Sequence, residues 1–282
     1  MPMSDLSQTS PCVVITGSTR GIGLGLAKAF LAQGCNVLIS GRDPESLQRA
    51  LTQLSATFDG AQLHGLCSDV TRRDSLQALW DAGVARFGKV DVWINNAGSC
   101  HAARDLVEIA GDELESVVRT NIMGSIFGSQ VALSAMLEQG GGQIFNMEGW
   151  GSQGEWSAGM TVYSTSKRAV SHFSKGLYKE TRNSPVLVGT LSPGMVATDL
   201  LVSSWKEGNA QNWQKMKRLF LFVIDPPEIV CAYLARRILA NRRSNARIAW
   251  MTPLRLIARF FQPYYWRRNP VAGTALESLG EG

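Results

Sequence analysis

The chain has little from which a metal centre or a covalent framework could be built. Its 282 residues include five cysteines and three histidines. Cys12, Cys35, Cys67, Cys100 and Cys231 show no CxxC spacing, and several sit in apolar runs, so buried thiols in a reducing compartment are expected. His64, His101 and His172 are scattered, which argues against a metal site. His101 follows a glycine turn, where it is either a substrate contact or a solvated loop residue. No apolar run reaches the ~20 residues that span a bilayer, and no signal peptide opens the sequence. A soluble or membrane-peripheral protein is expected. Acid is also missing locally: Ile229 to Leu276 holds nine arginines and no Asp or Glu. Those nine cations exceed the net charge of +5, so the rest of the chain is net negative. No repeat or composition break divides the sequence, which is long enough for one full α/β core.

The apolar run Cys12-Val13-Val14-Ile15 leads into Thr16-Gly17-Ser18-Thr19-Arg20-Gly21-Ile22-Gly23, then into the helical spacing of Leu24, Ala27 and Leu31. Glycines between a strand and a helix let the backbone approach a pyrophosphate at the helix's positive end. Strand-like runs at Asn36–Ser40, Gln62–Cys67, Val90 to Ile94, Gln143–Met147 and Pro185–Leu191 alternate with helical stretches. This is the pattern of βα units in a parallel sheet. The expected fold is α/β, a doubly wound parallel sheet of Rossmann type over residues 12–250. Residues 1–11 are expected to be a disordered amino terminus, and 251–282 a basic amphipathic extension.

Tyr163 and Lys167 are four residues apart, which places a phenol beside an ammonium on one face of a helix. A neighbouring cation favours the phenolate, and a phenol ordinarily ionises near ~10, so Tyr163 is a candidate proton donor.

These motifs occur in an order that resembles the short-chain dehydrogenase/reductase family: TGxxxGxG with glycines at Gly17, Gly21 and Gly23, then Asn95-Asn96-Ala97-Gly98, Asn121, Tyr163 with Lys167, and Ser192-Pro193-Gly194-Met195-Val196-Ala197-Thr198. The resemblance implies a nicotinamide dinucleotide held along Gly17, Ser18, Thr19, Arg20, Gly21, Ile22 and Gly23. It places Asp69 at the adenine, with Val70, Asn95, Ala97 and Gly98 also along the cofactor. Pro193, Gly194, Val196 and Thr198 would meet the nicotinamide. Tyr163 would donate the proton, Lys167 would lower its pKa and hold the ribose, and Asn121 would organise a relay water. A homo-oligomer is expected. After the second strand the chain reads Ile39-Ser40-Gly41-Arg42, where an acid would suit the 2′-hydroxyl of NAD. Arg42, aided by Arg20, suits a 2′-phosphate, so NADPH is the expected cofactor, and Asp43 is read as the cap of a helix starting at Pro44.

One position departs from the family. Thirteen places before the tyrosine, where a serine usually holds the substrate oxygen, stands Trp150. Ser152 either replaces that hydroxyl through the bend allowed by Gly149 and Gly151, or caps a turn. The runs IFNMEGWGSQG, YSTSKRAV and LSPGMVATDLL resemble the chlorophyll b reductases. That resemblance implies reduction of the 7-formyl group of chlorophyll b or chlorophyllide b to hydroxymethyl. The alternatives are a general carbonyl or hydroxysteroid reductase, and a nucleotide-binding scaffold or sensor without catalysis. No plastid transit peptide is seen, so a prokaryotic or processed protein is expected, cytoplasmic or peripheral to a thylakoid-type membrane.

Two segments suit an apolar partner. Thr252-Pro253 is a helix start, followed at helical spacing by Leu254, Ile257, Ala258 and Phe261, with Arg255, Arg259 and the aromatics Phe260, Tyr264, Tyr265 and Trp266. Residues 251–268 either lie on an anionic membrane, with Arg255 and Arg259 as cations, or pack on the domain. Nucleic acid is not expected, since no binding module accompanies the arginines. In the segment 199–225, which the family places over the substrate, Trp205, Trp213, Met216, Leu219, Phe220 and Phe222 suit a large flat substrate or a packed core.

Overall fold

A computed structural model describes residues 10–201 and 221–271 of the chain. Its strands are β1 (Cys12–Ile15), β2 (Asn36–Gly41), β3 (Leu63–Cys67), β4 (Val92–Asn95), β5 (Gly142–Met147), β6 (Val186–Ser192) and β7 (Ala246–Ala249). They pair in parallel in the order β3-β2-β1-β4-β5-β6-β7. The continuous apolar run of β1 follows from burial on both faces, since helices cover both sides of a parallel sheet. Val13 and Ile15 face a core shared with α1 (Gly21–Leu31), α2 (Pro44–Ser55) and α7 (Pro227–Leu239). Cys12 and Val14 face the opposite core, with α3 (Arg73–Phe87) and α5 (Gly124–Gln139). Helices α4 (Gly111–Val118) and α6 (Thr161–Thr181) complete that layer.

Strand order reverses between β1 and β4, which opens a crevice at their carboxyl ends. The expected strand positions hold to within a residue or two. The run beginning at Val90 enters the sheet only at Val92, because both main-chain groups of Val90 bond the Gln139 side chain. Asp43 caps α2 as expected, its carboxylate accepting from the Ser46 N–H at 2.9 Å ahead of Pro44.

After β7 come α8 (Pro253–Phe260) and α9 (Pro263–Arg267). Thr252 starts α8 by accepting from the Arg255 N–H. The apolar spacing of Leu254, Ile257 and Phe261 points outward, these side chains being 79%, 57% and 77% exposed. Arg255 and Arg259, read either as lipid-facing cations or as part of a helix packed on the domain, face inward. Arg259 is 2% exposed and paired with buried Asp225, and Arg255 stacks 3.9 Å over the Trp250 ring. A buried carboxylate without a counter-charge would be costly, and α8 supplies the cation. The expectations for residues 1–9, for Trp205, Trp213, Met216, Leu219 and Phe220, and for 272–282 lie outside the described residues.

Candidate active site

Gly17, Gly21 and Gly23 build the turn from β1 into α1. Gly17 has φ +59°, and a side-chain carbon there would lie 2.7 Å from the Ala97 Cα. The Asn96 amide donates to the Thr16 and Gly17 carbonyls at 2.9 and 2.8 Å, and the Thr16 hydroxyl accepts from the N–H groups of Asn96 and Ala97. These bonds lock the glycine turn to the Asn95–Gly98 turn after β4. Helix α1 has no side-chain cap, and Gly21, Ile22 and Gly23 at its start line a cavity of about 340 Å³. Uncapped N–H groups at the positive end of a helix suit a pyrophosphate, so these residues fit a dinucleotide.

Other residues expected along the cofactor divide into two groups. Arg20, Gly98, Pro193, Gly194, Val196 and Thr198 line the cavity, and Arg42 is exposed at the end of β2. Ser18 is fully buried: its hydroxyl donates to Ile15 O at 2.7 Å and accepts from the Ser40 N–H at 2.8 Å, while its own N–H bonds Ser40 O. Asn95 lies two residues after Trp93 on the same face of β4, turned into the core. Its amide accepts from the Trp93 indole and donates to Ser129 and Asn146, so its side chain is a brace and not a cavity wall. Thr19 packs beneath Gly41, and Val70 beneath Gly124. One oxygen of Asp69 accepts from the N–H and hydroxyl of Thr71, both at 2.9 Å.

At the other end of the cavity, α6 presents Tyr163 and Lys167, both buried. The ammonium donates to Met147 O at 3.3 Å and stands 5.9 Å from the tyrosine ring centroid. Burial pushes the Tyr163 phenol above its ordinary value, and the Cys100 thiol adds to that. Burial also pushes Lys167 down from 10.5 to about 8, with Cys100 and Glu148 pulling the other way. The direction for Tyr163 is thus opposite to the expected lowering, with desolvation its largest cause.

Asn121 is wholly buried in a π-helical turn (Arg119–Met123) between α4 and α5. Its amide accepts from the Ser99 N–H at 2.8 Å and donates to Ser99 O and to the Ser166 hydroxyl, both at 2.9 Å. Ser166 donates in turn to the Tyr163 carbonyl at 2.6 Å. Asn121 thus ties α6 to the segment after β4. Gly98 lies between it and Lys167: a side-chain carbon there would be 3.5 Å from Asn121 Oδ1 and 3.7 Å from Lys167 Nζ.

The count of thirteen residues pointed to Trp150, but Trp150 is 47% exposed, and the residue against the phenol is Gly149. A side-chain carbon on Gly149 would lie 2.5 Å from the Tyr163 oxygen. Ser152 is 1% exposed and away from the cavity wall. Its hydroxyl accepts from the Gly149 N–H at 3.0 Å and donates to Lys167 O at 3.3 Å, so of the two readings the geometry gives it the turn-holding one.

Three further residues belong to the site. Cys100 lines the cavity, with its thiol pushed up to about 12 by burial. Glu148, in the acidic-glycine run of the sequence, also lines it and is paired with Arg247 at 2.8 Å. His101 is neither solvated nor on the cavity wall. It is 2% exposed, with Nδ1 2.8 Å from Ala102 O and Nε2 accepting from the Tyr163 N–H at 3.4 Å. The ring thereby caps the start of α6, a contact across 62 residues with no local signal in the sequence.

The family model described as short chain dehydrogenase matches residues 11–209. The chain is 36% identical over 259 residues to a chloroplastic chlorophyll(ide) b reductase of Oryza sativa subsp. japonica, covering 88% of this chain and 74% of that protein. It is 34% identical over 261 residues to a probable chloroplastic chlorophyll(ide) b reductase of the same organism, covering 87% of this chain and spanning only 50% of that relative's length. Among solved structures, an actinorhodin polyketide ketoreductase with NADPH superposes with a TM-score of 0.74 at 28% identity, covering 86% of this chain and 97% of that one. A 3-ketoacyl-(acyl-carrier-protein) reductase from Brucella melitensis complexed with NADH shares the fold, with a TM-score of 0.75 at 22% identity, over 86% of this chain and 98% of that one.

Proposed function

The chain belongs to the short-chain dehydrogenase family of oxidoreductases, and on that footing we propose that it is an NADPH-dependent reductase of the 7-formyl group of chlorophyll b or chlorophyllide b. The observation that carries the pigment assignment is the 36% identity, over 88% of the chain, to a protein named as a chlorophyll(ide) b reductase. The cavity accords with a large apolar substrate, since Met147, Trp150, Met160, Met195, Leu200 and Leu201 line it.

The N–H groups at the start of α1 would hold the pyrophosphate of a bound dinucleotide, which would supply the hydride, and Arg42 with Arg20 would read its 2′-phosphate. Lys167 holds the ribose. Tyr163 gives its phenolic proton to the oxygen of the reacting carbonyl, the protonated phenol being the form that burial favours. Asn121, through Ser166, fixes the helix that carries the donor. The expected division of the chain into a reductase domain over 12–250 and an extension over 251–282 belongs to this reading, as does assembly as a homo-oligomer.

The same reading makes the protein peripheral to a thylakoid-type membrane. No described helix is long and apolar enough to cross one. The outward apolar residues of α8, beside Tyr264 and Trp266, support surface contact instead. A general carbonyl reductase is the second reading, favoured by the likeness to the polyketide ketoreductase. Incubation with NADPH and chlorophyll b or chlorophyllide b in detergent, with products resolved by chromatography, should give the 7-hydroxymethyl pigment. Unchanged pigment alongside reduced simple aldehydes or ketosteroids would replace the pigment reading with the general one.

A further inference from the structure

Asp225 joins three parts of the molecule that are distant in sequence. Its main chain pairs with the cavity wall: Asp225 N–H donates to Met195 O at 3.0 Å, and Ala197 N–H donates to Asp225 O at 3.1 Å. Its carboxylate, 1% exposed, accepts from the Trp250 indole at 2.6 Å, from Arg259 at 2.5 Å and from Arg268 at 2.6 Å. Both guanidinium groups stack on the Tyr265 ring, each 4.5 Å from its centroid. Arg268 also donates to the carbonyls of Phe222 and Ile224 at 3.0 and 2.6 Å. Beyond β7, Met251 closes on the Pro193–Gly194 turn, where a side-chain carbon on Gly194 would be 3.2 Å from the Met251 Cβ.

Two cations on one buried carboxylate carry a large desolvation cost, and removing the charge of one partner leaves the others uncompensated. The element they fix is the cavity wall from Met195, which Asp225 holds through its main chain at Met195 and Ala197 while its side chain is held by Trp250, Arg259 and Arg268. We propose that Asp225 is a positioning residue for carbonyl binding. By this account the region from Trp250 to Arg268 is part of the substrate site and not only a surface anchor. Asp225 touches neither cofactor nor substrate; it acts through Met195, Val196, Leu200 and Leu201, which line the cavity. The inference rests on that cavity being where a carbonyl is reduced.

The test separates the wall from the glycine turn. Asp225→Asn keeps the shape of the side chain and removes its charge. In that variant the KM for whichever carbonyl the wild type turns over should rise at least tenfold, with kcat within about threefold. Affinity for ADP-ribose, which needs only the glycine-turn half of the site, should stay within about twofold by calorimetry. Should Asp225→Asn fail to fold, Trp250→Phe removes a single hydrogen bond to the carboxylate and should raise KM in the same direction by a smaller factor. An unchanged KM in a folded variant, or an equal loss of ADP-ribose affinity, overturns the proposal. Failure of the pigment reading shows earlier, in the product chromatogram of the wild type, so the two failures remain distinct.

Discussion

The Tyr163 hydroxyl rests against Gly149 so closely that one added carbon on the glycine would lie 2.5 Å from the phenol oxygen. The position facing the phenol is therefore occupied by a residue that offers no side chain, and any side chain there would have to displace the phenol.

Gly149→Ala is expected to push the phenol aside. A displacement of about 1 Å at a reacting group costs on the order of 10²-fold in rate, so kcat should fall by roughly that factor while dinucleotide affinity is kept. Ser152→Ala is the control: its hydroxyl is away from the cavity, so kcat should stay within about threefold. The lost bond to Gly149 N–H should cost about 1–2 kcal/mol of stability. Steady-state kinetics beside urea melts read both, and near-normal turnover in Gly149→Ala would show that the phenol can be displaced without cost.

The contrast between Gly149 and Trp150 shows where a sequence stops being informative. Strand β1 was legible because Cys12–Ile15 is buried on both faces and so is continuously apolar. The Tyr163/Lys167 pair was legible because helical spacing alone brings the two together. Which residue of the loop after β5 meets the phenol depends on the path of Gly149–Ser152, and a residue count carries no information about that path. Arg259 was ambiguous for a related reason. The pattern of α8 shows an apolar face, but which face turns inward is decided by Asp225, 34 residues away.

Lys167 should make stability depend on pH. Its folded value is near 8 against an ordinary 10.5, so between those limits the unfolded chain binds more protons and stability rises with pH. Below pH 8 the full burial cost is present, roughly 3 kcal/mol. Lys167→Met removes it, so the variant should be more stable than the wild type at pH 7 by up to that amount. The advantage should shrink as pH approaches 10.5. Tyr163, shifted upward, acts in the opposite sense, and its contribution is lost only above pH 10. Urea melts of both proteins at pH 7, 8.5 and 10 check the sign; a difference that does not change with pH would show that Lys167 is not buried as a cation.

Arg42 is the test of cofactor preference. It is exposed beside the glycine turn, and a charge-assisted bond to a phosphate contributes about 1.5–3 kcal/mol. Arg42→Ala should therefore weaken NADPH about tenfold or more and NADH by less than threefold, read by fluorescence titration. Equal weakening of both would remove Arg42 from 2′-phosphate recognition.

The outward face of α8 tests membrane contact without disturbing the Asp225 cluster. Ile257 and Phe261 are 57% and 77% exposed, so replacing each with Glu should change stability by less than about 0.5 kcal/mol. On an anionic bilayer both side chains would leave water, and full burial of such a side chain contributes about 1.5–3 kcal/mol. Ile257→Glu with Phe261→Glu should thus lower partitioning onto anionic vesicles by a factor of ten or more. The exposed Arg236, Arg237, Arg242, Arg243 and Arg267 would add an attraction that weakens with salt, so wild-type binding should fall as ionic strength rises. Vesicle sedimentation reads both effects, and light scattering of the same samples reports assembly. If the double variant still sediments with vesicles but no longer self-associates, the apolar face of α8 belongs to a contact between copies of the chain, and the lipid assignment is wrong.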